Sequence, residues 1–332
     1  MKDFSKDYKG KNVLITGGAG CIGSNLAKAF IKAEAGKIII LDDLSSAYRW
    51  NIPVAPSIHF VEGSVLDDEK LSEVFESGID YVFHLAAHFA NQNSVDHPEA
   101  DLMVNGMGTL KVLQHAWRAG VKRFVYASSG CGVYGLESKI PFEEHDISIS
   151  LHTPYQVTKL LGELYTNYFH NLYKLPTVNA RFFNVYGPGE VPGKYRNVIP
   201  NFFFWAMQGK PLPITGDGTE TRDWTFVDDI VSGLMAMGIK EEAVGEAINL
   251  GSGVEHQVIE LATIVNRLTN NKAGVTYVPR RNWDVKTHLR SSIDKARKLL
   301  GYQPQTSFED GLKRVHQWFV ENQENIVKSA EF

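Results

Sequence analysis

Cysteine is scarce in this sequence. Only Cys21 and Cys131 occur among the 332 residues. Two cysteines form neither a disulfide framework nor, by themselves, a metal site. A chain of this length can bury a large hydrophobic core without such cross-links. We therefore expect a fold that is stabilised by its core and holds no metal.

Long uncharged segments are absent as well. The longest stretch without Lys, Arg, Asp or Glu covers residues 81–95 and contains His and Asn. It is shorter than the ~20 apolar residues of a transmembrane helix. Residues 1–12 are charged and lead directly into an apolar run, which is unlike a signal peptide. These features predict a cytoplasmic protein without a membrane span.

The sequence has no excess of basic residues. Lys and Arg total 34, Asp and Glu total 38, and the formal net charge is −4. Surfaces that bind nucleic acid need clustered cations to neutralise phosphates, so we expect no nucleic-acid partner. The hydrophobic fraction of 43% and the charged fraction of 22% are instead typical of a globular protein.

Short apolar runs alternate with helical patterns in the first half of the chain. The runs are rich in Val and Ile, as in strands that are covered on both faces. Repeated strand–helix alternation predicts an α/β fold with a Rossmann-like, doubly wound parallel sheet. We predict strands at 12–16, 37–41, 81–85, 123–127 and 177–183, and helices at 22–35, 67–76, 98–119 and 153–173.

The alternation ends after Asn184. Gly and Pro cluster in the sequence YGPGEVPGKY at 186–195, and the later apolar runs are short. We predict a first domain at 1–183, with later segments at about 224–250 packing back on it. A smaller C-terminal α/β lobe would then comprise mainly 184–332.

A glycine-rich segment joins the first predicted strand to the first helix. The sequence TGGAGCIG places Gly17, Gly20 and Gly23 in a GxxGxxG pattern. Glycines there permit a tight turn, close approach of a pyrophosphate and close helix–strand packing, while free amides at the helix start face negative charge. Asp42 ends the second predicted strand, where a carboxylate accepts hydrogen bonds from a ribose diol and repels a 2′-phosphate. The pattern predicts NAD rather than NADP, and the alternative is a βα turn without a ligand.

A tyrosine and a lysine share one face of the predicted helix at 153–173. Tyr155 and Lys159 are four residues apart, so the ammonium should lie near the phenol. A tyrosine has a reference pKa near 10, and ionising it at pH 7 needs roughly 4 kcal/mol of help. Lys159 and an oxidised nicotinamide ring are expected to supply it by lowering the Tyr155 pKa. The alternative is a surface aromatic–cation pair.

With these and further motifs, the chain resembles the extended short-chain dehydrogenase/reductase family, in its nucleotide-sugar epimerase/dehydratase branch. The resemblance covers nearly the whole chain. Its ordered motifs are TGGAGCIG, HLAA at 84–87, VNGMGT at 104–109, SSGCGVYG at 128–135, the Tyr155–Lys159 pair, RFFNVYGP at 181–188, NVIP at 197–200, RDWTFVDD at 222–229, RNWD at 281–284 and KARKLLGYQPQTSFEDGL at 295–312.

The resemblance implies a set of site residues and a homodimer formed through a four-helix bundle of the helices at 98–119 and 153–173. It assigns catalysis to Tyr155, Lys159 and Ser129, and no metal. It assigns NAD binding to Gly17, Gly20, Cys21, Ile22, Gly23, Asp42, Asp43, Ser64, Val65, Leu85, Ala86, Ala87, Asn105, Ser128, Tyr155, Lys159 and Phe182. It assigns binding of a nucleoside-diphosphate sugar to His88, Ser129, Gly130, Asn184, Asn197, Val198, Arg222, Arg281 and Asp284.

Several of these residues have simpler alternatives. Arg222 and Arg281 can form charge-assisted contacts with a diphosphate, but as isolated surface arginines they carry no function. Asn184 also suits the turn before YGPG, and Asp43 suits a solvated turn. His84 is expected to be a packed, hydrogen-bonded histidine.

One departure from the family pattern lies at the reaction centre. Gly130 stands where relatives carry a Ser or Thr whose hydroxyl bonds the reacting sugar oxygen. We expect Ser129, or a water molecule in the space beside Gly130, to take that role.

Two further departures affect the choice of reaction and the adenine site. Cys131 and Gly132 replace the Asp–Glu pair of dehydratases and the Glu that uronate decarboxylases often carry. Ser64 replaces the Asp that contacts adenine, which leaves Asp67 or a backbone amide as the substitute.

We therefore predict an NAD-dependent nucleoside-diphosphate-sugar 4-epimerase that acts through a transient 4-keto sugar, with Tyr155 as acid/base. NAD would bind in the first domain and the substrate mainly in the second. The alternatives are an NAD-dependent decarboxylase, dehydratase or reductase of the same substrate class, and a non-catalytic cofactor-binding protein.

Overall fold

A seven-stranded parallel sheet forms the centre of the computed structural model, which describes residues 3–135 and 139–332. Its strands are β1 (Val13–Thr16), β2 (Ile38–Asp42), β3 (Ile58–Glu62), β4 (Tyr81–His84), β5 (Arg123–Ser129), β6 (Thr177–Phe182) and β11 (Ala247–Leu250). The spatial order is β11-β6-β5-β4-β1-β2-β3, and every neighbouring pair is parallel. The order reverses between β1 and β4, which is where doubly wound sheets bind ligands. The predicted α/β fold class is confirmed.

Helices cover both faces of this sheet. Alternate side chains of the strands enter two cores. Val13 and Ile15 pack with the helices at Cys21–Lys32 and Val227–Ile239, whereas Leu14 packs with those at Asp68–Glu76, Thr109–Ala119 and Pro154–Tyr173. The helices are α1 (Ser5–Tyr8), α2 (Cys21–Lys32), α3 (Asp68–Glu76), α4 (Asn91–Asp96), α5 (Pro98–Asp101), α6 (Thr109–Ala119), α7 (Gly130–Val133), α8 (Pro154–Tyr173), α9 (Val198–Met207), α10 (Val227–Ile239), α11 (Val258–Leu268), α12 (Asp294–Leu300), α13 (Phe308–Glu321) and α14 (Gln323–Ser329), with 3₁₀ turns at Arg49–Asn51 and Glu241–Ala243. In the two described ranges, no helix has both the length and the apolar composition needed to cross a bilayer.

The helix predicted at 98–119 is not continuous. A π-helical segment, Leu102–Gly108, separates α5 from α6. Gly108 approaches Val65 so closely that a Cβ on the glycine would lie 2.6 Å from Val65 Cγ2. Glycine weakens a regular α-helix, and π segments are frequent at functional sites. Here the segment places Asn105, which is 1% exposed, inside the protein.

The edge strand β3 is absent from the sequence prediction. Its sequence, IHFVE, contains a histidine and a glutamate, and no residue of the strand is fully buried. An edge strand is covered less completely than the centre of a sheet, so it lacks the continuous apolar run that reveals β1 and β2.

Three two-stranded sheets accompany helices α9 and α11 to α14 from residue 184 onward. These are β7 (Asn184–Tyr186) with β10 (Trp224–Phe226), β8 (Leu212–Thr215) with β13 (Val275–Val278), and β9 (Thr221–Arg222) with β12 (His256–Gln257). α10 and β11 belong to the main sheet layer instead. The domain boundary at 183/184 stays a prediction.

A buried ion pair joins α8 to the sheet. Arg181 on β6 is 1% exposed and Glu163 on α8 is 2% exposed. Arg181 Nε and Nη2 donate to the two carboxylate oxygens of Glu163 at 2.8 and 2.7 Å. Ser128 at the end of β5 donates its hydroxyl to the same carboxylate, and Arg181 Nη1 donates to Tyr134 Oη at 3.0 Å. The pair therefore sets the position of α8 against β5 and β6.

Replacing Glu163 with Gln should strongly destabilise the protein, because it leaves the Arg181 charge buried without its anion. We expect the free energy of unfolding to fall by about 3–5 kcal/mol, measured by urea denaturation. Glu324→Gln, which breaks an exposed ion pair with Lys328 on α14, is the control and should cause no measurable change. Equal effects of the two substitutions would contradict this account.

Candidate active site

A cavity of about 660 Å³ opens at the carboxyl ends of the central strands. It lies at the position where the strand order reverses and extends under the later segments of the chain. Its wall includes every predicted site residue except Ser64, Asn105 and Gly130. Residues that are far apart in the sequence, from Gly17 to Arg281, therefore meet around one space.

The three glycines after β1 have three different roles. Gly17 has a φ of +69°, and a Cβ there would lie 2.7 Å from Ala86 N. A Cβ on Gly23 would lie 2.4 Å from Gly17 O, so this glycine lets α2 pack against the turn. A Cβ on Gly20 would meet only Gly17 O, at 3.4 Å. Gly20 thus has open space beside its backbone, as close approach of a pyrophosphate requires.

The first turn of α2 presents free backbone amides to the cavity. α2 begins at Cys21, and its N-cap residue, Gly20, offers no side-chain acceptor. Uncapped amides at a helix start form an anion site. Burial raises the pKa of the Cys21 thiol well above its usual value, so Cys21 is a neutral wall residue. Its sulfur faces the carbonyl oxygens of Gly187 and Pro188 at 3.8 and 3.6 Å.

Asp42 ends β2 and faces the glycine turn. One carboxylate oxygen accepts from Ala19 N at 2.9 Å and the other accepts from Leu44 N at 2.9 Å. Each oxygen keeps a free lone pair, which fits the two hydroxyls of a ribose. Burial raises the Asp42 pKa, and the two amide hydrogen bonds oppose that rise. Asp43 also lines the cavity, and its carboxylate accepts from Ser45 N at 3.0 Å, as a turn residue does.

The predicted adenine contacts are rearranged. Ser64 lies behind the cavity wall, and its hydroxyl accepts from Leu66 N at 3.2 Å. Asp67 caps α3 by accepting from Glu69 N and Lys70 N. Both amides bind Oδ1 of Asp67, which is not among the residues of the cavity wall. That Asp67 or a backbone amide replaces the missing acid stays a prediction. Gly63 and Val65 form the wall at this point.

His84 is a structural residue, as expected. Its Nδ1 lies 2.7 Å from Thr16 Oγ1 and its Nε2 lies 3.0 Å from Thr109 Oγ1. Burial lowers the His84 pKa to about 3, so the ring is neutral. Thr16 Oγ1 also accepts from Ala86 N at 3.2 Å. The histidine thus connects β1 and β4 to the helix layer and supports the wall formed by residues 85–87.

Asn105 supports the site from behind the wall. Its Oδ1 accepts from His88 N at 2.8 Å, and its Nδ2 donates to Asp101 Oδ1 at 2.8 Å. Thr158 on α8 donates to the other oxygen of Asp101 at 2.6 Å. Asn105 is not among the residues of the cavity wall, and its contact with NAD stays a prediction. Its side chain connects the loop after β4 with α5 and α8, which agrees with the steadying role that the resemblance implies.

Tyr155 and Lys159 lie on one face of α8, as their spacing predicts. Thr153 caps this helix by accepting from Gln156 N. Lys159 is 3% exposed, donates to Ala127 O at 3.0 Å, and has its Nζ 5.5 Å from the centre of the Tyr155 ring. Both side chains line the cavity beside the end of β5.

Burial dominates the pKa values of this pair. It raises the Tyr155 pKa, and the nearby Asp101 and Cys131 add to the rise, while a hydrogen bond with Ser129 opposes it. Burial also lowers the Lys159 pKa to about 8, although Asp101 favours the charged form. The lowering of the Tyr155 pKa by Lys159 together with an oxidised nicotinamide ring stays a prediction.

The space beside Gly130 is occupied by Phe183. A Cβ on Gly130 would lie 2.2 Å from Phe183 Cε2, and Phe183 is 2% exposed. The suggestion of a water molecule in this space is therefore wrong. Ser129 lines the cavity, bonds Tyr155 and accepts from Gly132 N at 3.1 Å. Ser129 is thus a cavity hydroxyl beside Tyr155, and its role in place of the missing Ser or Thr stays a prediction.

The predicted substrate residues form the other half of the wall. Arg222 donates to Asp284 Oδ1 at 3.3 Å, so Asp284 orients an arginine. Arg281 is exposed and lies over the Trp283 ring. Asn197 starts α9 without capping it, which leaves a second set of helix amides open. Two arginines and a helix start suit a second diphosphate.

The sequence prediction lacks many residues of the cavity wall, among them Glu190 and Lys286. Glu190 accepts from Asn197 Nδ2 at 2.6 Å through Oε1, and its Oε2 is buried without a partner among the described residues. Burial raises the Glu190 pKa to about 7. Lys286 has its ammonium against the end of β5. Neither belongs to a motif, and a single sequence contains no signal that such residues become buried in a cavity.

Comparison with known proteins gives a consistent result. A family model described as "NAD dependent epimerase/dehydratase family" matches residues 13–251. The chain is 34% identical to a UDP-glucose 4-epimerase of Mycolicibacterium smegmatis over 311 residues, which are 92% of this chain and 97% of that protein. It is 35% identical to a UDP-glucuronate 4-epimerase of Thermodesulfobacterium geofontis over 332 residues, with 96% and 98% coverage.

Solved structures agree with these relatives. Epimerase Mth375 of Methanothermobacter thermautotrophicus is 73% identical, with a TM-score of 0.98 over 99% of this chain and 97% of that one. UDP-glucose 4-epimerase of Thermotoga maritima, solved with UDP-glucose, is 32% identical, with a TM-score of 0.89 and 94% and 99% coverage. WbmF of Bordetella bronchiseptica, solved with NAD+, is 35% identical, with a TM-score of 0.82 and 96% coverage of both chains.

Restoring the hydroxyl residue at position 130 should harm this protein. In Gly130→Ser the new side chain meets the Phe183 ring, so we expect a loss of about 1–3 kcal/mol in the free energy of unfolding, measured by denaturant titration. When Gly130→Ser is added to Phe183→Ala, the further loss of unfolding free energy should be smaller than the loss that Gly130→Ser causes in the wild type. A single variant as stable as the wild type would contradict the packing described here.

Proposed function

The chain belongs to the NAD dependent epimerase/dehydratase family, and from this premise we propose that it is an NAD-dependent nucleoside-diphosphate-sugar 4-epimerase. The observation that carries the proposal is the position of Tyr155, Ser129 and Lys159. They meet on the cavity wall between the glycine turn and the substrate arginines. A sugar held there by its diphosphate would reach both the acid/base tyrosine and the cofactor.

NAD is the cofactor, and the residues of the first half of the cavity fit it. The Gly20 backbone and the first amides of α2 would hold its pyrophosphate, and Asp42 would bind the adenosine ribose. When bound, NAD supplies a hydride acceptor and donor for carbon C4 of the sugar.

Residues of the chain itself would transfer the proton. As the phenolate, Tyr155 Oη would take the proton of the sugar 4-hydroxyl, become the neutral phenol and later return that proton, while the Ser129 hydroxyl bonds the same sugar oxygen. The Lys159 ammonium, whose Nζ lies 5.5 Å from the centre of the Tyr155 ring, and an oxidised nicotinamide would favour this phenolate against the burial that raises the Tyr155 pKa. Arg222 and Arg281 hold the diphosphate, so that the transient 4-keto sugar can turn without leaving.

The other reactions of the family are less well supported by this site. Relatives include a UDP-N-acetyl-α-D-glucosaminuronate decarboxylase and enzymes with 4,6-dehydratase activity. Elimination of water needs an acid next to the sugar, where this chain carries Cys131 and Gly132. Burial raises the Cys131 pKa to about 11, so its thiol is a poor substitute for a carboxyl group. The site therefore favours epimerisation.

We also propose a homodimer. The segments around α6 and α8 present exposed apolar side chains, and contiguous apolar patches mark interfaces. Two copies packed through these helices would form the four-helix bundle that the resemblance implies. The exposed apolar residues are Leu102, Met103, Met107 and Trp117 on the first segment and Val157, Leu164, Tyr168 and Leu172 on α8.

A cytoplasmic location likewise remains a proposal. Cys21 and Cys131 are both unpaired. Free cysteines are typical of a reducing compartment.

Tyr155→Phe tests the mechanism. The purified protein should convert a sugar nucleotide to its C4 epimer at unchanged mass, followed by NMR with UDP-glucose, UDP-glucuronate and UDP-N-acetylglucosamine. Removing the phenol should lower kcat by about 10²–10⁴-fold, because proton transfer is lost. Binding of NAD, measured by its effect on thermal unfolding, should be unchanged. Full turnover by the variant, or loss of 44 or 18 mass units from the substrate, would contradict the proposal.

Leu164→Glu tests the dimer. A charge at this exposed position of α8 should separate the subunits, because it would be buried between the helices of two copies. Sedimentation should change from about twice 37.1 kDa for the wild type to 37.1 kDa for the variant. Val327→Glu on α14, equally exposed but remote from α8 in the chain, is the control and should leave the dimer intact. A monomeric wild type would exclude this assembly.

A further inference from the structure

Lys286 brings a positive charge to the sugar end of the cavity. It lies on the segment after β13, lines the cavity wall and is half-buried. Its ammonium donates to Cys131 O at 3.2 Å and also to Tyr134 O. Both acceptors belong to the segment that directly follows Ser129, so the cation is held next to the reaction centre.

No anion in the described parts of the chain pairs with this cation. The nearby Arg222 pairs with Asp284, but no carboxylate in residues 3–135 or 139–332 forms an ion pair with Lys286. Burial lowers the Lys286 pKa to about 8, with the Cys131 thiol opposing this change and Arg222 contributing to it.

An unpaired, partly desolvated ammonium is unfavourable unless a ligand completes its shell. An ammonium has three N–H donors, and the two carbonyl oxygens engage two of them. Lys286 Nζ also lies 5.5 Å from the centre of the Phe142 ring, a contact that attracts the charge but supplies no counter-anion. The third donor therefore remains for an anionic group that enters the cavity. The neighbouring Arg222 adds to the positive potential at the same place.

The position of Lys286 indicates which part of the substrate this group belongs to. Cys131 lies two residues after Ser129, and it is close enough to Tyr155 to raise the pKa of that phenol. The Cys131 sulfur lies 3.5 Å from Asn184 Oδ1. The ammonium on the Cys131 carbonyl is therefore close to the atoms that hold the reacting sugar. Arg281 and the start of α9 supply separate contacts for the diphosphate.

We propose that Lys286 binds a carboxylate on the sugar, which makes a nucleoside-diphosphate uronic acid the preferred substrate class. This inference rests on the proposed epimerase function and assigns a specificity-determining role to a residue outside the family motifs. The carboxylate neutralises the half-buried ammonium, whereas a neutral hydroxymethyl group leaves it unpaired.

UDP-glucuronate and UDP-glucose form a matched pair of probes, because they differ only at C6. The wild type should bind UDP-glucuronate more tightly, measured by calorimetry, and should show the lower KM for it. In Lys286→Met, which keeps the length of the side chain, the Kd and KM for UDP-glucuronate should rise about 10- to 100-fold, as for loss of a charged hydrogen bond. The values for UDP-glucose should change less than about threefold.

Two control variants separate the possible roles of the charge. Arg281→Met should weaken both probes alike, because both carry the diphosphate. Lys272→Met, at an exposed position, should change neither. Equal weakening of both probes by Lys286→Met would make Lys286 a diphosphate contact and overturn the inference.

The test is independent of turnover and of the variant's stability. If neither probe is inverted at C4, the proposed function fails, while the difference in calorimetric Kd between the two probes still decides the inference. If Lys286→Met does not fold, the wild-type preference and Lys286→Gln give the same comparison. A wild type that binds the two probes equally, or binds neither, overturns the proposal.

Discussion

The buried pair of Arg181 and Glu163 is the interaction on which the site depends. A buried arginine and carboxylate are costly to desolvate, and here both are paired through two hydrogen bonds. Glu163 is four residues after Lys159 and eight after Tyr155, so all three lie on one face of α8. The ion pair holds that face against β5 and β6, which puts Tyr155 beside Ser129 at the end of β5.

In the proposed function, the cavity would bind its two ligands by different means. Backbone amides of the glycine turn and of α2, together with the Asp42 carboxylate, would bind the cofactor. The side-chain cations of Arg222, Arg281 and Lys286 would bind the substrate. Amides stabilise a pyrophosphate without crowding it, and an acid beside them selects for a ribose diol. Cations attract the charged groups of a nucleotide sugar, so the two ligands would occupy opposite halves of the cavity.

Local patterns explain why much of the fold could be predicted. The strands 12–16 and 37–41 are continuous apolar runs because the sheet is covered on both faces, whereas the half-exposed β3 has no such run. The spacing of Gly17, Gly20 and Gly23 reports a turn made by neighbouring residues. These features depend on residues close together in the chain, and short-range geometry is encoded in short-range sequence.

Sequence patterns are sufficient to predict the doubly wound fold, the glycine turn and the pairing of Tyr155 with Lys159, because each follows from the period of a strand or a helix. Packing between distant segments instead makes Phe183 fill the space beside Gly130 and leaves Lys286 without a carboxylate partner in the described residues. Those outcomes depend on contacts between residues 53 to 155 positions apart. Burial and hydrogen-bond partnership at such distances are properties of packing, which a single sequence does not display.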